Sequence, residues 1–144
     1  MTRLRTLVQE TGVAMMVVSH LRRPDGKGHE EGAATSLEVA FQYPIKLVAN
    51  ALGVPPKVML EMGKKHNVAV AALVGAKEHA VKQVEAGVDI LIASGGEAGG
   101  HCGDVSTMVL IPEVYKAIKP IKDVPILAAG GITTGSQMAA AMSM

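Results

Sequence analysis

The sequence predicts an α/β protein built around a parallel β-sheet. Short aliphatic runs alternate with helical segments over most of the chain, an order typical of parallel sheets with crossover helices. The runs contain almost no polar residues, as expected for strands buried on both faces. Glycine-rich turns follow two of the runs, on the side of the sheet where such folds place their active sites.

Four strand–helix units follow one another after about residue 37. Pro55 and Pro56 favour the start of the first helix, and Gly87 favours the end of the second. The predicted strands cover residues 45–50, 68–74, 88–93 and 124–129, and the predicted helices cover residues 55–65, 77–86, 112–119 and 136–142. The last helix is expected to be cut short by the chain end.

The N-terminal segment differs in residue pattern from the rest of the chain. Residues 2–11 are predicted to form a short helix, because Leu4, Leu7 and Val8 recur at helical spacing. Residues 13–18 read as a buried strand. Residues 21–32 are polar and glycine-rich and are predicted to form a long loop.

Composition narrows the function classes. The 144 residues carry a formal net charge of +1, which gives no electrostatic reason to expect a membrane surface or nucleic acid as partner. The single cysteine, Cys102, rules out an internal disulfide and fits a reducing cytoplasm. No uninterrupted apolar stretch is long enough to span a membrane, and the N-terminus is a poor signal peptide.

The turn after residues 88–93 is the main candidate for chemistry. Residues 94–103 contain five glycines, which would let a flat or phosphorylated ligand approach the backbone closely. His101 lies in this turn, and imidazole suits proton transfer near neutral pH. The alternative is a flexible loop with an incidental histidine. We expect Cys102 to be a packed thiol rather than a nucleophile, because no other residue is placed by the sequence to activate it.

A second glycine turn spans residues 128–136. Gly130 and Gly131 follow a strand and precede a helix, so backbone N–H groups there could bind an anion. The other histidines lack metal-ligand spacing, and no metal site is predicted. His66 and His79 are expected on the surface, and Met59 and Met108 in the core.

Residues 45–144 resemble the nitronate monooxygenases, once called 2-nitropropane dioxygenases. The resemblance is carried by the segments 50–56, 87–92, 97–103, 107–114 and 124–132, of which Glu-Ala-Gly-Gly-His at 97–101 is the most specific. It implies an FMN-dependent (β/α)₈ TIM barrel. It also implies that a nitronate or nitroalkane is oxidised by O₂ through FMN, giving a carbonyl compound and nitrite.

The same resemblance implies roles for individual residues. His101 would be the general base that takes the α-proton of a nitroalkane. Gly99 and Gly100 would lie against the flavin, and Gly130 and Gly131 would bind its phosphate. Ser94 would also contact the flavin, at a position where many members have glutamine. FMN-dependent NAD(P)H enoyl-carrier-protein reductases of type II share a similar block and are the alternative reading.

Residues 8–32 instead resemble the late strand and following loop of hexameric replicative DNA helicases of the RecA-like class. That resemblance implies that His20 senses a nucleotide phosphate and that Arg22, Arg23 and Lys27 face DNA. The chain has no Gly-x-x-x-x-Gly-Lys-Ser/Thr loop, so ATP hydrolysis by this chain is not expected. The predicted organisation is a helicase-like fragment at 1–37 and a partial FMN-binding barrel at 38–144.

Four units are about half of a barrel, because a whole one takes about 250 residues. We therefore expect open sheet edges and an uncovered apolar face. The chain is expected to be a poor enzyme alone unless it forms a homo-oligomer or the strand at 13–18 extends the sheet. The predicted function is a truncated flavin-dependent nitronate monooxygenase, with a nucleic-acid-binding helicase fragment as a further alternative.

Overall fold

The computed structural model describes residues 15–18, 36–100 and 102–144. The helix predicted over residues 2–11 and the loop predicted over residues 21–32 lie outside these described residues. The chain divides into two compact units, Met1–Ala71 and Ala72–Met144. Strand β3, Ala69–Val74, crosses the boundary between them.

In the first unit the strands lie in the order β1, β2, β3. β1 is Met15–Val18 and β2 is Leu47–Asn50, and the two are parallel, with Val18 opposite Asn50. Residues 36–40 are helical, and helix α1 covers Lys57–His66. The strand predicted over residues 13–18 is thus present as β1 and extends the sheet, which was one of the two conditions set for an active chain.

A continuous apolar core lies among the described residues of the first unit. It joins the short helix at 36–40 to β2, α1 and the start of β3, and its buried members are Leu37, Ala40, Ile45, Val48, Met59, Val68 and Val70. Phe41 lies at its edge and stacks on His66, with ring centroids 4.6 Å apart. Aliphatic packing, with one methionine as filler, therefore holds this unit together.

Gly63 marks the closest approach of α1 to β3. A Cβ added at Gly63 would lie 2.6 Å from Val70 Cγ2 and 2.9 Å from the carbonyl oxygen of Val68. Only a hydrogen fits there, so this glycine sets how near the helix lies to the strand.

The second unit continues the alternation. Helix α2 is Lys77–Ala86, β4 is Ile90–Ser94, α3 is Thr107–Ile118, β5 is Ile126–Ala129 and α4 is Gly135–Ser143. The strands lie in the order β3, β4, β5, and β4 is parallel to β5. The four predicted strand–helix units are confirmed. Each strand lies beside the one before it, as in a barrel rather than a doubly wound sheet.

The predicted start of the third helix at Pro112 is wrong. α3 begins at Thr107, and Pro112 lies inside it. An internal proline costs a helix about 3 kcal/mol. Leu110 and Ile111, which precede the proline, are 0% and 6% exposed, and burying each contributes roughly 1.5–3 kcal/mol. Packing on the N-terminal side of Pro112 therefore offsets its cost.

The expectation that both Met59 and Met108 lie in the core is confirmed for one of them. Met59 is 1% exposed and belongs to the core, as predicted. Met108 is 55% exposed, and its predicted core role is wrong. The buried stripe of α3 runs through Leu110, Val114 and Ile118 at intervals of four, and Met108 does not fall on that spacing.

An apolar surface is left uncovered at β5 and α4. Leu127 of β5 is 47% exposed, and Met138 and Met142 of α4 are 56% and 82% exposed. No residue of α4 is buried. The expected uncovered apolar face is thus confirmed at this side of the second unit.

We expect Gly63→Ala to destabilise the protein. Alanine would gain about 1 kcal/mol of helix propensity, but overpacking against Val70 and the Val68 carbonyl costs typically 1–3 kcal/mol. Urea unfolding should show a net loss, whereas Lys64→Ala, on the exposed face of the same helix, should change stability little. A Gly63→Ala variant more stable than the parent would contradict the close contact.

Candidate functional site

The two glycine turns begin where two neighbouring strands end, at the same level of the sheet. Ser94, the last residue of β4, pairs with Ala129, the last residue of β5. The N–H of Gly95 then donates to the Ala129 carbonyl at 3.2 Å. Residues 95–103, called here the His101 turn, and residues 130–134, the Gly130 turn, therefore start side by side at the carboxyl ends of parallel strands.

The His101 turn folds back on its own strand end. Gly96 N–H donates to the Val105 carbonyl at 2.9 Å, and Ala98 N–H donates to the Gly95 carbonyl at 2.9 Å. A Cβ added at Gly103 would overlap the carbonyl oxygen of Gly75, which follows β3. His101 itself lies outside the described residues, so its role as the base stays a prediction.

Gly99 and Gly100 face open space. Among the described residues other than its chain neighbours, a Cβ added at either glycine would meet no atom within 4 Å, and both residues are exposed. Gly100 has a φ of 85°, in the left-handed region that favours glycine. Backbone without side chains is thus presented outward beside the position of His101.

The Gly130 turn lies directly against the His101 turn. A Cβ at Gly130 would be 3.0 Å from Ala98 N and 3.1 Å from Thr107 Oγ1, and one at Gly131 would be 3.0 Å from Glu97 Cβ. Both glycines have positive φ, 108° and 69°. The two turns that the sequence predicted to act together are in contact, although their flavin-binding role stays a prediction, as does that of half-buried Ser94.

A link between Glu97 and Thr107 is the feature that sequence reasoning missed. Glu97 Oε2 accepts hydrogen bonds from Thr107 N–H at 2.9 Å and from Thr107 Oγ1 at 2.8 Å. The same hydroxyl lies 3.0 Å from the Gly130 carbonyl oxygen. Thr107 is 5% exposed and is the first residue of α3. A Cβ at Gly95 would overlap it, so the turn must begin with glycine.

This link shifts the titration of Glu97. The N–H of Thr107, followed by its hydroxyl and then the N–H of Glu97 itself, lowers the pKa of the carboxyl below its ordinary value, and weak desolvation opposes them. The side chain is exposed, so the shift comes from donors rather than from burial. Glu97 is therefore held as the carboxylate.

The start of α4 is organised by Gln137. Its Oε1 accepts from the N–H groups of Thr133 and Thr134 at 2.8 and 3.0 Å, and Gln137 N–H donates to Thr134 Oγ1 at 3.3 Å. This is a capping box with an additional donor. Two of the backbone N–H groups that the sequence assigned to an anion site are therefore already bonded within the protein.

Cys102 differs from expectation. Its side chain is exposed rather than packed, and its thiol lies 3.7 Å from the Gly96 carbonyl oxygen.

Within residues 15–18, 36–100 and 102–144, no group of three or more His, Cys, Asp or Glu side chains could hold a metal ion. In the same part of the chain, no helix has the length and apolar character needed to cross a bilayer.

Thr107→Val should raise the pKa of Glu97 toward its ordinary value without fully restoring it, because the backbone N–H of residue 107 remains a donor. Since the folded-state pKa is lowered, the carboxylate stabilises the fold above its unfolded pKa, and this contribution is lost as pH falls through the lowered value. Carboxyl ¹³C shifts followed over pH would measure the change. Thr107→Ser keeps the hydroxyl and should retain the parent pKa; an unchanged pKa in the valine variant would contradict the contact.

Comparison with known proteins identifies the family of this chain. The family model "Nitronate monooxygenase" matches residues 9–144. A Mycobacterium tuberculosis protein named as a monooxygenase, Rv1533, is 50% identical over 114 residues, which are 79% of this chain and 30% of that protein. A Rhodococcus jostii protein named as a dehydrogenase of an indene-carboxyl-CoA is 35% identical over 107 residues, 74% of this chain and 29% of that protein.

A solved structure has the same fold. Nitroalkane oxidase from Streptomyces ansochromogenes superposes with a TM-score of 0.79 at 25% identity, covering 99% of this chain and 49% of that one. The chain thus has the fold of part of a (β/α) barrel. It spans about 30% of the length of the two relatives and about half of the solved chain.

The family match bears on the N-terminal segment as well. It begins at residue 9 and so covers most of residues 8–32, where the sequence also resembles helicases. His20, Arg22, Arg23 and Lys27 lie outside the described residues, and the helicase-like domain at 1–37 stays a prediction. From residue 9 to residue 144, the chain belongs to the nitronate monooxygenase family.

Proposed function

We propose that this chain supplies the base and the cofactor-binding turns of an FMN-dependent nitronate monooxygenase. The observation that supports this most is the contact between the two turns: Gly130, predicted to bind phosphate, lies against Ala98, three residues before the predicted base His101. This contact supports the proposal, because the turn predicted to bind the cofactor phosphate and the turn predicted to carry the base begin at the same edge of the sheet.

The described residues fit FMN. Gly99 and Gly100 leave open space beside the backbone, as a flat ring system needs, and Gly131 is exposed and lies against Glu97 of the His101 turn. At the start of α4, the N–H groups of Gly135 and Ser136 would add to a phosphate site, because Thr133 and Thr134 are bonded to Gln137. When bound, FMN would supply the two-electron oxidation and its coupling to O₂.

The protein's own contribution would be proton transfer and positioning. His101 would take the α-proton of a nitroalkane, leaving a nitronate whose charge is spread over the nitro group. Ser94, at the end of β4, would contact the flavin beside the base. A carbonyl compound and nitrite would be the products.

The 144-residue chain should bind added FMN, and Gly99→Ala should weaken binding about tenfold or more, because its methyl group would occupy the space left for the ring. Flavin fluorescence titration measures the affinity, and urea unfolding should show unchanged stability. A colourless protein that takes up no FMN would end the activity claim for this chain.

His101→Ala should abolish turnover of 2-nitropropane while FMN stays bound. The preformed nitronate needs no proton abstraction, so its oxidation should be retained far better. Oxygen consumption with each substrate separates the two steps, and His79→Ala, at an exposed position on α2, is the matched control. Full activity of the His101 variant with the nitroalkane would refute its role.

An oxidoreductase acting on an acyl thioester is the second candidate. It is favoured by the Rhodococcus jostii relative, whose name places a CoA ester as substrate. That relative is named as a dehydrogenase, whereas the enoyl-carrier-protein reductase that the sequence also resembles would reduce such a thioester with NAD(P)H. NADH oxidation that strictly requires an enoyl thioester would select it over the monooxygenase, and oxygen consumption with a nitronate would select the first.

A further inference from the structure

Glu97 joins three separate segments of the second unit through a single carboxylate oxygen. That oxygen accepts both donors of Thr107, at 2.9 and 2.8 Å. Thr107 starts α3, and its hydroxyl also lies 3.0 Å from the carbonyl of Gly130. The His101 turn, the start of α3 and the Gly130 turn thus meet at this pair of side chains.

The contacts around this pair leave little freedom. Thr107 is 5% exposed, and added Cβ atoms at Gly95 or Gly130 would press on its side chain. Glu97, by contrast, is exposed, so it is not in this turn to fill a core. What the side chain contributes is a charged acceptor, and hydrogen bonds to a charged group are roughly twice as strong as neutral ones.

We propose that Glu97 is a positioning residue that holds the His101 turn in register with the Gly130 turn by binding Thr107. The proposal rests on the proposed function, because the turns matter only if one carries the base and the other the cofactor. Catalytic groups must be held within a fraction of an ångström, and a shift of about 1 Å can cost roughly 100-fold in rate.

The charges near Glu97 are few. Its own turn carries His101 and Cys102, and Asp104 follows directly; α3 has no ionisable side chain before Glu113; and residues 124–144, which include β5, the Gly130 turn and α4, have none. The donors of Thr107, rather than a neighbouring charge, hold Glu97 ionised. Protonation would remove the charge that binds Thr107 and loosen the turn.

The single cysteine makes this measurable. Cys102 is exposed and lies in the His101 turn, so a nitroxide attached to it reports the mobility of that turn without further substitutions. In the parent protein, the label should be restricted at neutral pH and should loosen as pH falls through the lowered pKa of Glu97. Glu97→Gln should be loose at neutral pH and should lack this transition.

Matched variants separate positioning from general damage. Glu85→Gln, on the exposed surface of α2, should keep the parent spectrum and its pH transition. Thr107→Val should loosen the label, and Thr107→Ser, which keeps both donors, should restore the parent behaviour. These two variants keep the test decisive even if Glu97→Gln fails to fold, since a valine variant as restricted as the parent would overturn the proposal.

Label mobility can be measured without bound flavin, so failure of this proposal can be told apart from failure of the proposed function. If the chain binds no FMN but shows the Glu97-dependent transition, the contact between Glu97 and Thr107 would be supported and the proposed function would not. With FMN bound, Glu97→Gln should lower kcat for the nitroalkane at least tenfold with little change in KM. Parent mobility and parent kcat in Glu97→Gln would overturn the proposal.

Discussion

The parallel register of β4 and β5 determines where the candidate site residues lie. Because Ser94 is opposite Ala129, both strands end at one level and both glycine turns begin there. Parallel strands are evenly paired along their length, so a shift of one residue would separate the turns and also reverse which side chains face the core. The buried Leu91 and Ala93 of β4 fix that register through packing.

Once the turns are adjacent, the absence of side chains decides how closely they can approach. Gly95 and Gly130 have no Cβ where one would press on Thr107, and Thr107 occupies the gap that they leave. Its two donors then meet the carboxylate of Glu97. Glycine in these turns is therefore required by contacts within the protein, in addition to any ligand that comes near.

Much of the fold could be predicted because it follows from local patterns. Aliphatic runs gave the strands, and the left-handed conformation of Gly87, with a φ of 97°, ends α2 as its sequence position suggested. The start of α3 could not be predicted, because burial of Leu110 and the hydrogen bonds that Thr107 donates to Glu97 outweigh the helix-breaking tendency of Pro112. The exposure of Cys102 likewise depends on how its turn folds back, which no local pattern encodes.

The site was predictable to a similar depth. The glycine clusters and the acid–base residues of one turn could be read from the sequence, but the partner of Glu97 lies ten residues away on another element, and only tertiary structure pairs them. Membership of the nitronate monooxygenase family suggests which reaction this site could serve, whereas the contacts within the site follow from the residues of the chain itself. No sequence pattern shows that two backbone N–H groups before α4, those of Thr133 and Thr134, are already hydrogen-bonded within the protein.

The side chain of Gln137 has a consequence for any ligand at that helix start. By bonding Thr133 and Thr134, it fixes the backbone of the Gly130 turn through contacts within the protein. A binding surface that is already rigid loses less conformational entropy when it is occupied, which favours affinity. It also limits promiscuity, because only ligands that match the fixed donors left over can gain from that rigidity.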